Sequence, residues 1–350
     1  MSLSPKPLMD IKVVACTVEI LSPVHIGDGS TLEGYEYCVV DGIYHKINMS
    51  RLLENLPPDD LDNLANLMAT DPIGLRKFMR EIYRPEFGEY SCRATRTFIE
   101  TVEGKLDDPR NQLLVRTFIK TCGQPYLPGS SIKGAIRTAV LANLLGERCP
   151  SVRDGAEKLE RELLGYSLPT HDPMKGLRVA DVHLSMDCMV VDSVQRWSSG
   201  ATGVTPLRLQ QLAELASPVW PPSGAGFGQA FQAEFRLYEK FLVPRGSSVL
   251  RDLWDEGFQW LAKVCNDFYA PLAKSDEKFA ARGDAGAITS KIARQIEQAV
   301  RDGGCVMRLG WGSGLDSVSL NRLLRKAPTP RTKSFTGEGW PLGWIVLRQA

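Results

Sequence analysis

The sequence predicts an α+β fold, and three observations carry that expectation. Apolar and polar residues alternate over 12–20, 37–47 and 227–241, the period of a half-buried strand. Amphipathic helical stretches at 50–83, 130–145, 248–273 and 286–302 are unevenly placed among those strands. Hairpin signals, such as Asp41-Gly42 between two short apolar runs, argue against a doubly wound parallel sheet.

Taken in order, the strand at 12–20 ends in Leu21-Ser22-Pro23-Val24-His25-Ile26-Gly27-Asp28-Gly29, where proline and glycine force a turn. Pro57-Pro58 and Asp71-Pro72 divide residues 50–83 into two or three short helices, an insertion in the strand pattern. Strands are expected at 96–102 and 113–121, then helices at 130–145 and 154–164. A single strand over 176–184 follows, with 190–196 beside it. Residues 200–206 and 218–228 read as loops, which sets a boundary between residues 1–198 and 199–350. Helices at 248–273 and 286–302 and strands at 306–309 and 344–347 complete the pattern.

Composition excludes several classes. The 350 residues carry 42 Lys and Arg against 41 Asp and Glu, a net charge of +1, so no global basic excess marks a stand-alone nucleic-acid binder. Cations concentrate locally instead. Arg322, Arg325, Lys326, Arg331, Lys333 and Arg348 face Glu338 alone in 320–350, and residues 91–140 are also basic, against an acidic remainder. Eight scattered cysteines without a C-x-x-C pair predict reduced thiols and a cytoplasmic protein. Four histidines without ligand spacing predict no metal, no cofactor is implied, and no apolar run is long enough for a bilayer. Leu242-Val243-Pro244-Arg245-Gly246-Ser247 matches a thrombin cleavage sequence in full and is set aside from function.

The most informative stretch is Pro128-Gly129-Ser130-Ser131-Ile132-Lys133-Gly134-Ala135-Ile136-Arg137. It places a glycine turn, two hydroxyls able to cap, and two cations at the start of one helix, which is a site for a phosphate. The same residues also describe an ordinary capped helix with solvated cations. A Walker A loop is excluded because Ala135 follows Gly134 where Lys is required. Ser130-Ser131-Ile132-Lys133 fits S-x-x-K, but no S-D-N or K-T-G completes that site, and Gly310-Trp311-Gly312-Ser313-Gly314 has glycine where a nucleophile elbow needs serine. That glycine density predicts close backbone approach, with Arg308 and Trp311 offering a cation and a stacking ring. His25 is a candidate for proton transfer or a hydrogen-bonded turn histidine, and Asp181 shares a strand face with His183.

Together the 21–29, 127–138, 177–181 and 308–314 segments resemble the RAMP superfamily of CRISPR effector subunits. The closing Pro341-Leu342-Gly343-Trp344-Ile345 resembles the head subunit of the type III-A (Csm) complex. The resemblance implies two ferredoxin-like (RRM-like) domains with helical insertions and a non-catalytic subunit that caps the 3′ end of the crRNA. It also implies backbone Csm subunits as neighbours, a part in maturing the crRNA 3′ end by positioning or recruiting a trimming nuclease, and no membrane. Its implied RNA-facing residues are His25, Gly27, Gly29, Gly129, Ser130, Ser131, Lys133, Arg137, Arg178, Arg308, Gly310, Trp311, Gly312 and Gly314. The RNA-cutting backbone subunit of the same complex has a catalytic aspartate before its second strand. Glu33-Gly34-Tyr35-Glu36-Tyr37 has none here, and Glu36 is the carboxylate that could replace it. The remaining alternatives are a metal-dependent endoribonuclease and an assembly protein without its own RNA site.

Overall fold

A computed structural model describes residues 10–146, 155–200, 203–218, 229–244, 249–281, 285–318 and 332–350. β1 (Ile11–Ile20) buries Cys16, Val18 and Ile20, every second side chain, as its alternation requires. After a turn come β2 (Gly27–Leu32), β3 (Tyr37–Val40) and β4 (Ile43–Ile47), the last two paired as a hairpin through Asp41-Gly42. The insertion is α1 (Met49–Asn55), α2 (Pro58–Thr70) and α3 (Pro72–Ile82), and the Asp71 carboxylate caps α3 by accepting the Ile73 and Gly74 N–H groups. Leu52, Leu64, Leu75 and Met79 close over Cys38, Ile47 and Phe87 as a core of their own.

β5 (Gly88–Ala94) leads into α4 (Arg96–Gly104), where the sequence predicts a strand. Two local terms override the β-propensity of Thr97, Phe98 and Ile99. The Thr95 hydroxyl accepts the Phe98 N–H at 3.2 Å, and Phe98 and Val102, one turn apart, are both buried, with the Phe98 ring against Tyr37 and Tyr44. β6 (Val115–Phe118), β7 (Lys120–Thr121) and β8 (Gln124–Leu127) precede α5 (Gly129–Leu145) and α6 (Ala156–Leu164). The single strand expected over 176–184 is two, β9 (Leu177–Val179) and β10 (Val182–His183), in different sheets.

β11 (Met189–Gly200) and β12 (Gly203–Ala216) form a long hairpin, so the described part of the expected 200–206 loop is strand. There follow β13 (Ala230–Tyr238), α7 (Glu239–Leu242), α8 (Arg251–Glu256), α9 (Phe258–Ala280) and α10 (Gly286–Arg301). The chain closes with β14 (Cys305–Arg308), α11 (Leu315–Val318), β15 (Thr332–Thr336) and β16 (Trp344–Gln349). Leu242 is buried and packs on Gly176, so the thrombin-like stretch begins in the fold; Arg245 to Ser247 lie outside the described residues.

These elements make an α+β protein. One sheet runs β14-β16-β1-β13-β9, a larger one runs β2-β6-β12-β11-β5-β4-β3 with β15 on β11, and β10-β8-β7 form a small third. β1 lies between β16 and β13, so the amino-terminal strand is central to the sheet built from the second half of the sequence. Residue 199, the expected boundary, falls within β11. The main core is continuous from β1, β13 and β16 through α5 to α9.

Candidate functional site

Five distant sequence segments form two knots that face each other. In the first, His25 O accepts the Trp311 N–H at 2.8 Å, Pro23 O accepts the Gly343 N–H, and Gly343 O accepts the Leu309 N–H. Gly310 has φ 78°, and a Cβ there would overlap the His25 carbonyl. The close approach read from the glycines is therefore an approach to the chain's own turn. Gly312 is likewise filled by Leu342, whereas Gly314 is exposed with open space beside it.

His25 is 2% exposed, and its Nδ1 lies 2.7 Å from Glu214 O. A carbonyl can only accept, so Nδ1 carries the proton. Burial lowers the His25 pKa, which keeps the ring neutral near pH 7. This corrects its placement as an RNA-facing residue: the ring packs edge-on against Trp311 and Phe118 inside the knot. Gly27, exposed beside the His25 Nε2, and Gly29, in an irregular stretch of β2, remain on the surface.

Arg308 is corrected in the same way. It is 4% exposed, donates from Nε to Leu342 O at 2.7 Å and pairs with Asp276 at 2.9 Å. Lys333 reaches the other oxygen of Asp276, so one carboxylate pairs with two buried cations. Part of the basic 320–350 excess is thus internal; Arg322, Arg325, Lys326 and Arg331 lie outside the described residues.

The second knot holds the start of α5. Neither Ser130 nor Ser131 caps it; the Asp181 carboxylate, at the break between β9 and β10, accepts the Gly129 N–H at 2.7 Å. A Cβ on Gly129 would overlap the Val179 carbonyl, so this glycine admits the β9–β10 break and not a phosphate. Asp181 and His183 form no dyad, because Asp181 is a helix cap. Arg137 is also spoken for: burial opposes its charge, and ion pairs with Glu160 and with Asp172 at 2.9 Å more than reverse that.

Between the knots lies a cleft of about 350 Å³, lined by Ser131, Gly134 and Thr138 on α5 and by Arg308 to Gly310 opposite. Ser130 is exposed at its α5 end. Three cations on or beside the two knots, none of them in the lining of this cleft, have no ion pair among the described residues. Lys133 is half-buried, and burial followed by the charges of Arg137, Arg178 and Lys175 lowers its pKa against the pull of Asp172. Arg178 is exposed over the Tyr238 ring at 4.9 Å. Arg116, which sequence reasoning counted only within a basic stretch, lies over the Trp311 ring at 5.1 Å. Its signal in the sequence was position: Arg116 stands half-exposed between the buried Val115 and Thr117 of β6.

The arrangement offers phosphates cations and a half-buried indole. Glu36 instead closes a turn, its carboxylate accepting the Glu33 N–H at 2.7 Å. Among the described residues no three His, Cys, Asp or Glu side chains gather as metal ligands, and no helix is long and apolar enough to cross a membrane.

The RAMP superfamily profile matches residues 17–315, most of the chain. The chain belongs to the RAMP superfamily. A curated relative, the CRISPR system protein Csm5 of Methanocaldococcus jannaschii, is 28% identical over 192 residues, covering 47% of this RAMP chain and 41% of the relative. The chain therefore matches less than half the length of that relative. Two solved structures share the fold. One is a chain of a Csm–crRNA–target RNA ternary complex from a type III-A system, with TM-score 0.70, 22% identity, and coverage of 96% of this chain and 100% of that one. The other is T. onnurineus Csm5, with TM-score 0.62, 20% identity, and coverage of 94% and 99%.

Proposed function

We propose that this chain is a Csm5-like, non-catalytic subunit of a type III-A CRISPR effector complex, which holds the 3′ part of the crRNA by its backbone and ends the stack of backbone subunits in the cytoplasm. In this reading the two larger sheets with their helices are two ferredoxin-like units. The neighbours are the crRNA and Csm backbone subunits, and a separate nuclease trims the 3′ end.

The observation that carries the proposal is the cleft between α5 and the glycine loop, together with three cations on the elements of the two knots, Lys133 on α5, Arg178 on β9 and Arg116 against Trp311, which have no ion pair among the described residues. Guanidinium and ammonium groups bind phosphate without reading bases, which suits a guide of variable sequence. Gly134 and Gly314, with open space where a side chain would stand, leave the backbone accessible to a ribose-phosphate strand.

The test is photocrosslinking within the assembled complex, using a crRNA with 4-thiouridine near its 3′ end and magnesium present. The expected result is intact RNA crosslinked to peptides of α5 or the 308–315 loop. Crosslinks confined to other subunits would overturn the proposed position, and magnesium-dependent cutting abolished by Glu36→Gln would replace the non-catalytic reading with a nuclease.

A further inference from the structure

A second cleft, of about 340 Å³, opens between β6, β12 and the segment that joins α4 to β6. Its lining includes Lys105, Arg110, Arg116, Gln112, Gln210 and Gln211, with no Asp or Glu. Arg116 is shared: it sits in this cleft and over Trp311, which borders the glycine loop of the first. Arg116 and Trp311 thus join the wall of this cleft to the glycine loop.

The cations here are not neutralised. Lys105 donates to the Gln210 amide oxygen at 2.9 Å, a neutral partner, and Gln210 is itself oriented by donating to Thr101 at 2.8 Å. Arg110 approaches Asp108 at 3.4 Å with its side chain 92% exposed, a pairing that water and salt screen heavily. The acids nearby are drawn to the other side by α3 of the insertion: Lys77 pairs with Asp107 at 2.7 Å and Arg80 with Glu103 at 2.9 Å. Arg76 of the same helix, 5% exposed, donates to the carbonyls of Leu106 and Asn111 and so fixes the loop that carries Arg110. At the end of that loop Leu113 is held at φ 53°, unusual for leucine, by Asn111 accepting its N–H and by the Tyr37 hydroxyl donating to its carbonyl.

We propose that this cleft is a second phosphate site for the same single-stranded RNA, and that the helical insertion positions its wall through Arg76. The proposal rests on the RNA-binding reading above. RNA is favoured over an acidic peptide because the cations alternate with amides that can meet ribose and base edges, and because Arg116 of this cleft lies over Trp311, a ring on which a base can stack.

The experiment titrates labelled oligouridylates of increasing length onto the full chain at several salt concentrations. For Lys105→Glu/Arg110→Glu, short oligomers are expected to bind as to wild type, while the gain of affinity with length is lost, by roughly tenfold. The salt slope should fall by about 1.4 for two phosphate contacts. Arg76→Ala should reproduce that loss, which identifies Arg76 as a positioning residue; an equal weakening for short oligomers would mean the insertion supports only the fold. Unchanged length dependence in the double variant overturns the second site while leaving the first intact. Failure of wild type to bind any length overturns the reading beneath it, and displacement of RNA by polyglutamate at equal charge concentration overturns the choice of RNA.

Discussion

The glycine loop and the first turns of α5 face each other across one cleft, yet they use their cations in opposite ways. Arg308, beside the glycine-rich motif, is buried against Asp276 and Leu342, and its neighbour Lys333 shares the same carboxylate. Lys133 and Arg178, on the α5 side, have no such partner among the described residues. The motif thus builds a scaffold, and the charges left over at its edge are available to a ligand. A cation buried against a carboxylate has little to offer a phosphate, because turning it outward would break a buried ion pair and, for Arg308, its hydrogen bond to Leu342.

The largest effect that would break this comparison comes from Asp276→Ala. It strands Arg308 and Lys333 in the core and should cost about 3–5 kcal/mol, read by denaturant unfolding. A loss below about 1 kcal/mol would mean that Arg308 is free to turn outward after all.

Asp192 sharpens the contrast, being a buried carboxylate with hydroxyl and amide donors from Thr95, Thr97 and Ser193 in place of cations. Burial raises its pKa from 3.8 to about 6 even though those hydrogen bonds pull the other way. Between these values the folded chain keeps a proton that the unfolded chain has released, so this group's contribution falls as pH rises through that window. The expected decline is about 3 kcal/mol between pH 4 and pH 7. Asp192→Asn should remove this component from the pH profile of stability, and an unchanged profile would contradict it.

Gly310→Ala places a methyl group against the His25 carbonyl at a left-handed backbone position, and roughly 2 kcal/mol of destabilisation is expected by the same unfolding measurement. RNA affinity should follow stability in that variant and return to the wild-type value wherever the fold is intact. The smallest effect is Asp181→Ala, which removes the cap on Gly129 and should cost about 1 kcal/mol, visible as a small drop in Tm.

Much of the fold was legible because its signals are local. Alternation in β1 and β13, the Asp41-Gly42 turn, the prolines that start α2 and α3, and the apolar stripe of α5 are each decided within a few residues. The segment 96–102 was not legible, because Thr97, Phe98 and Ile99 favour a strand in isolation and only the Thr95 cap and the Tyr37–Tyr44 floor make it a helix. The β9–β10 break is similar, since nothing near Ala180-Asp181 announces that the two halves join different sheets.

For the site, glycine density in 310–314 does announce close approach, but a sequence cannot say whether the approaching atom is a ribose or the chain's own His25 carbonyl. The same ambiguity hid Asp181, which sits 52 positions from the amide it caps. Charge was legible as residue type and illegible as availability: Arg137, Arg308 and Lys333 look no different in sequence from Lys133, Arg178 and Arg116 until their partners are placed.

The most direct test of the central claim compares the salt dependence of RNA binding for wild type and Lys133→Gln/Arg178→Gln, with thermal unfolding measured alongside. If these two cations carry the RNA, the slope of log affinity against log salt falls by about 1.4 and affinity drops roughly tenfold at physiological salt, while Tm stays where it was. An unchanged slope with an unchanged Tm would contradict the claim, because RNA would then bind without the charges that the α5 side presents to it.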